Sequence, residues 1–164
     1  MSTAPTLTTE RLTLRHHRLS DFEQMATHFA TDWARYMGGP IDRKAMWFWL
    51  GAEVGSWSLL GYGSWAVDLT ATGETIGQVG INKPAHFPEV EIGWLLYPGH
   101  EGHSYAFEAA TAARTWAFES GHKMLVSYID PPNARSIRLG ATRGPEAPAP
   151  DPEDLVYRHY RRLQ

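Results

Sequence analysis

The stretch from Glu91 to Ala110, EIGWLLYPGHEGHSYAFEAA, gathers the groups in this chain best able to do chemistry. An alternating segment runs into Pro98-Gly99, passes a second glycine at Gly102, and feeds straight into a long helical pattern. Such a turn lines up unpaired backbone N–H groups at a helix N-terminus, which suits phosphate oxygens. Glu91 falls on the opposite strand face from Val90 and Ile92, where a carboxylate can take a proton from a reactant or pair with a cation. Glu89 and Tyr97 are the reserves for that role. His100-Glu101-Gly102-His103 looks metal-like, but a zinc-protease pair needs its histidines four apart on one helix face. Here a glycine intervenes before any helix has begun, so no metal is expected. No P-loop or dinucleotide fingerprint occurs.

The absence of cysteine excludes disulfides, zinc–thiolate sites and a cysteine nucleophile. At 164 residues, 43% hydrophobic and 20% charged, the chain is expected to form a single domain spanning 1–164. A net charge of -3 argues against binding nucleic acid by phosphate neutralisation, and Arg158, Arg161 and Arg162 are too few for a basic patch. No apolar run approaches the roughly 18 residues of a membrane span, and the first ten residues lack a secretory apolar stretch. A cytoplasmic protein with no membrane partner is expected; a homodimer is compatible with the chain. Of seven tryptophans, Trp33, Trp47, Trp49 and Trp57 share one third of the sequence, as core packing or as the wall of a pocket.

The elements that must position these groups read from periodicity. Leu12 and Leu14 alternate with Thr13 and Arg15 as a first strand. Ser20 and Glu23 form a capping box for a helix over 21–30. Asp42 caps a second helix whose buried face is Met46, Trp49, Leu50, Val54 and Trp57. Strands follow at Trp65 to Leu69, Ile76 to Asn82 and Val90 to Leu96, the first two joined by a turn at Thr72-Gly73-Glu74. Ser104 to Glu119 is the longest helix, with Ala106, Ala109, Ala110, Ala113, Trp116 and Ala117 on one face and Glu108, Thr111, Thr115 and Glu119 on the other. Gly121 sits at its C-terminal cap. Met124 to Ile129 is a strand, Asn133 to Leu139 a short helix, Pro145 to Pro152 a loop, and Leu155 to Tyr160 a final strand. The order β-α-α-β-β-β-α-β-α-β-β implies one α/β domain with a mixed, mostly antiparallel sheet flanked by helices.

Taken in order, these pieces resemble the GNAT family of acetyl-CoA-dependent N-acetyltransferases, and within it the ribosomal-protein N-acetyltransferase-like branch. The resemblance starts at Thr8-Thr9-Glu10-Arg11-Leu12-Thr13-Leu14-Arg15 and continues through Glu91-Ile92-Gly93-Trp94. It runs on through Glu101-Gly102-His103-Ser104-Tyr105-Ala106 and Glu108-Ala109-Ala110, and resumes at Asn133-Ala134-Arg135-Ser136. It implies a GNAT-like fold and acetyl transfer from acetyl-CoA, as co-substrate, to an amine on a peptide N-terminus or a small molecule. It also implies that the backbone of Trp94, Leu95, Leu96 and Tyr97 pairs with the pantetheine arm. The amides of the Glu101, Gly102, His103, Ser104, Tyr105 and Ala106 loop would hold the pyrophosphate. Asn133 would lie against the pantetheine and Ser136 near the sulfur. On that chemistry Glu91 is the expected base and Ser136 the expected acid.

Three departures stand out. Glu101 takes a position where the family usually has Gln or Arg, and a carboxylate repels pyrophosphate. Ser104 puts a Cβ where a glycine usually lets backbone approach phosphate. Leu139-Gly140 follows Asn133 about one helical turn early. These departures support a rival reading, a GNAT-like module that binds CoA or a partner without catalysis.

Overall fold

Alternation along the strands sends apolar side chains to both sides of one sheet, and two helical layers cover it. The structure, a computed structural model, describes residues 3–140 and 155–160. Seven strands lie in sequence order: β1 (Leu7–Thr8), β2 (Leu12–Arg15), β3 (Ser64–Leu69), β4 (Thr75–Asn82), β5 (Glu91–Leu96), β6 (Met124–Ile129) and β7 (Leu155–Tyr160). Every neighbouring pair is antiparallel except β5 and β6, which run parallel. Among the described residues four α-helices accompany the sheet: α1 (Phe22–Phe29), α2 (Arg43–Leu60), α3 (Tyr105–Glu119) and α4 (Ala134–Gly140).

On one face α3 lies close because its inward residues are small: Ala109, Ala113 and Ala117 are buried against Leu12, Val79 and Ile92. Trp57, Trp65 and Trp116 meet edge to face at centroid distances of 4.8 to 5.4 Å, each pair worth about 1 kcal/mol beyond its burial. Their polar handles are satisfied, Trp57 Nε1 donating to Ser64 O and Trp65 Nε1 to Pro5 O. On the opposite face Phe22, Met25 and Phe29 of α1 pack with Met46 and Leu50 of α2 and with Tyr97.

Two polar clusters lock these layers. Arg15 bonds Asp68 on β3 at 2.6 Å and Asp21 before α1 at 2.8 Å, all buried or nearly so. Burial pulls the Asp21 carboxyl upward, but His17, Arg15 and the Arg18 amide outweigh it and hold it well below the usual carboxylate range. Glu108, expected on the outer face of α3, accepts from Thr9 Oγ1 at 2.6 Å and from Arg11 N and Nε at 2.9 and 2.7 Å. The Thr-Glu-Arg segment thereby holds the first turn of α3, where a carboxylate also complements the helix dipole.

Several expectations need correcting. Leu7–Thr8 adds a strand the periodicity was too short to show, and among the described residues one strand, not two, follows α4. Ser20 and Glu23 do not form a capping box. Asp21 precedes α1, its carboxylate accepts from the Arg18 amide at 2.7 Å, and Glu23 pairs instead with Arg43. Val54 is exposed because α2 buries a narrower stripe of Met46, Leu50 and Trp57; Asp42 does cap α2, accepting from Ala45 N at 2.8 Å. The expected loop at 145–152 and Arg161 and Arg162 lie outside the described residues.

Candidate functional site

The parallel neighbours β5 and β6 touch and then part. Val126 N donates to Val90 O at 2.9 Å, and among the described residues the pairing amounts to one register pair, Glu91 with Val126. Carbonyls of Val90 and Ile92 face β6, and strand geometry turns alternate residues the same way, so the backbone groups of Trp94 and Leu96 also face the widening gap. Leu95 and Tyr97 point their backbone groups the other way, with Tyr97 N donating to Ile76 O at 2.8 Å. An extended chain laid in the gap would meet a half-strand edge at Trp94 and Leu96.

A side chain stands where the ladder ends: Ser127 Oγ donates to Ile92 O at 2.8 Å. Ser127 Oγ is also 3.0 Å from His159 Nε2, and both residues are buried. The serine proton is committed to a carbonyl, so His159 Nε2 carries the proton in this contact. Burial, then the neighbouring Arg114 charge, lowers the His159 pKa to about 4, and the ring is neutral at neutral pH. Neither residue was singled out in the sequence. A lone serine in a strand and a histidine 32 residues away carry no shared spacing signal.

At the far end of the gap the chain turns through Gly99 and Gly102 into α3. Ser104 has φ +62°, the left-handed region that favours glycine, so the serine sustains the turn at a cost of order 1 kcal/mol. The amides of Tyr105, Ala106 and Phe107 open α3 and have no intrahelical acceptor, as at any helix start. Glu101 is held on this loop. Its Oε2 accepts from Gly99 N at 3.0 Å and its Oε1 lies 3.7 Å from Arg135 on α4. His103 stacks against Tyr105 at 5.3 Å, and Arg11 covers the other contact of the Tyr105 ring. Among the described residues no cluster of His, Asp and Glu could hold a metal ion.

The expected acid–base groups fall in different settings. Glu91 is half-buried on the face toward α1 and α2, its carboxyl lying over Gly93, where a Cβ would come within 3.6 Å of it. Glu89, the reserve for that role, is paired with Arg158 at 2.6 Å. Tyr97 is buried among α1 and α2 and stacks on His28 at 4.6 Å; burial, then Asp21, pushes its hydroxyl above the ordinary range, and its backbone N–H is turned from the gap toward Ile76. Trp33 and Trp49 both pack on Phe29 beside the half-exposed Leu95, which makes them rim as much as core.

Asn133 Oδ1 accepts from Ser136 N at 3.3 Å, an N-cap for α4, and Ser136 stands in the first turn, half-buried. The short α4 ends against the sheet: a Cβ on Gly140 would lie 2.8 Å from Ile129 Cδ1 and 3.6 Å from the Trp94 ring. Between α3 and this end, Trp94, Phe107, Leu139 and His159 enclose about 30 Å³, room for a single water. This cavity is too small for a thioester arm.

The chain is similar to known proteins along most of its length. The family profile described as "Acetyltransferase (GNAT) domain" matches residues 11–144. The uncharacterized protein YkkB of Bacillus subtilis (strain 168) is 30% identical over 152 residues, covering 88% of this chain and 87% of that one. A crystal structure of an acetyltransferase from Agrobacterium tumefaciens str. C58 superposes with a TM-score of 0.93 at 46% identity, covering 97% and 96% of the two chains. A ribosomal-protein-S5-alanine acetyltransferase from Vibrio fischeri shares the fold, with a TM-score of 0.71 at 16% identity over 96% and 97%.

Proposed function

Because this chain belongs to the acetyltransferase (GNAT) domain family, we propose that it moves an acetyl group from acetyl-CoA to an amine by direct attack in a ternary complex. The observation that carries this reading is the parting of β5 from β6 beside the start of α3. Bound acetyl-CoA would supply an activated acetyl thioester. The edge of Trp94 and Leu96 would hold its arm, Asn133 would lie alongside, and amides from Gly102 to Ala106 would take its pyrophosphate. The Leu96 N–H would stabilise negative charge on the acetyl oxygen. Glu91 takes the proton the attacking amine must lose, directly or through water. Ser136 gives a proton to the departing sulfur, a modest duty because a thiol of pKa about 8.5 leaves readily. Ser136→Ala should therefore lower kcat by about tenfold with acetyl-CoA affinity unchanged; lost affinity at full kcat would make it a binding residue instead.

The acceptor is proposed as a protein N-terminus or a small-molecule amine, and the site of action as the cytoplasm; no described helix is long and apolar enough to cross a membrane. Acetyl-CoA turnover against a panel of peptides and small amines tests the proposal, with a rise in melting temperature as the binding check. A second reading, a CoA- or partner-binding module without catalysis, is favoured by the Glu101 carboxylate already seated on the loop and by the filled space around Trp94. Thermal stabilisation without turnover would select it. No stabilisation at millimolar acetyl-CoA sinks the cofactor assignment and the enzyme reading with it.

A further inference from the structure

From Ala45 to Leu60 every exposed position of α2 is uncharged, and several are large: Trp47 is 52% exposed, Phe48 65% and Leu59 84%. A helix with large apolar side chains on its outward as well as its inward face belongs against something. The one acid in this span, Glu53, is turned to the flank and holds Trp49 Nε1 at 2.7 Å. Gly51 and Gly55 lie four apart, hence on one stripe of that outward face, and a Cβ on either would meet nothing within 4 Å. Glycine is disfavoured in a helix interior, and no neighbour within the chain requires it here. What two open glycines permit is the close approach of another backbone.

We propose that α2 is the contact of a two-fold symmetric homodimer, in which two copies of α2 cross at Gly51 and Gly55 with Phe48 and Leu59 packed around the crossing. The area suits this occupant. The exposed apolar side chains of α2 amount to roughly 500 Å² per copy, at the upper end of what monomers leave bare. Two copies with a polar rim reach the roughly 1,200–2,000 Å² of a stable interface. Charge suits it too: an isologous contact sets each patch on itself, and a charge-free patch meets no like charge there. The rim is present at the N-terminal end, where Arg43 pairs with Glu23 and Trp47 is fixed edge-on to Phe22 at 5.4 Å. A membrane-surface helix would instead carry Lys and Arg along its flank, whereas both basic residues of α2, Arg43 and Lys44, sit in its first turn.

The chain has no cysteine, so one introduced thiol reports on one contact. Gly51→Cys should give a disulfide-linked dimer on mild oxidation, because a two-fold crossing brings the position near itself. Pro84→Cys, exposed in the β4–β5 connection, should not. Sedimentation velocity should show a dimer at micromolar protein. Phe48→Glu and Leu59→Glu should each convert it to a monomer with an unchanged circular dichroism spectrum, since both side chains are exposed. A wild-type monomer at these concentrations, a dimer indifferent to both glutamates, or a monomer that floats with anionic vesicles would each overturn the proposal.

Discussion

The two faces of β5 differ in what they ask of their neighbours. Toward α3, Ile92, Trp94 and Leu96 close onto alanines and tryptophans with little space left between them. Toward α1 and α2, Glu91 and Gly93 leave a half-buried carboxyl over a residue without a side chain, and Leu95 is flanked by Trp33 and Trp49. One strand thus has a face built for cohesion and a face that keeps polar groups reachable. Substitutions on the first should cost stability, and on the second activity.

The strongest test of that division is Glu91→Gln. It should lower kcat/KM by roughly 10²–10⁴-fold and steepen its dependence on alkaline pH, while thermal melting moves little. An unchanged pH–rate profile would reduce Glu91 to a structural carboxylate. The counterpart is Trp65→Ala, which empties the centre of the tryptophan cluster. Chemical denaturation should show a loss of about 3–5 kcal/mol, with the activity of the folded fraction retained. Equal damage to both quantities would break the comparison.

His159 lies on the cohesive face, so its titration should appear in stability. Its folded pKa of about 4 is below the unfolded value near 6.5, so the fold favours the neutral ring. The unfolded chain binds the extra proton between these values, and stability present above pH 6.5 is lost as pH falls toward 4. That is about 2 kcal/mol between pH 7 and pH 5. His159→Gln, which keeps an N–H for Ser127, should flatten the dependence in urea titrations at the two pH values; an unaltered slope would assign it to other groups. His16, His28 and His122 are shifted down by burial as well and add in the same direction.

The smallest effect is expected at Glu101. Removing its charge with Glu101→Gln should tighten acetyl-CoA binding a few-fold, by under about 1 kcal/mol, because the group is partly exposed and screened. Calorimetry would show it, and weaker binding would mean that the carboxylate shapes the loop more than it repels the ligand.

The sequence by itself determined the kinds of elements and most of their bounds, because hydrophobic period is local. The 104–119 helix, the 124–129 strand and the Asp42 cap could be read within a few residues of themselves. The strand–glycine–helix segment was legible for the same reason, and with it the family. Tertiary structure decided what depends on partners far along the chain. Glu108 looked like a solvated face until Thr9 and Arg11, about a hundred residues away, closed on it. Val54 and Trp47 were placed by how much of α2 the sheet could cover, which no helical wheel contains. At the edge of the gap Ser127 donates to the Ile92 carbonyl and contacts His159. Where the two strands part, a buried carbonyl must find its partner in a side chain, and only the fold brings the three residues together.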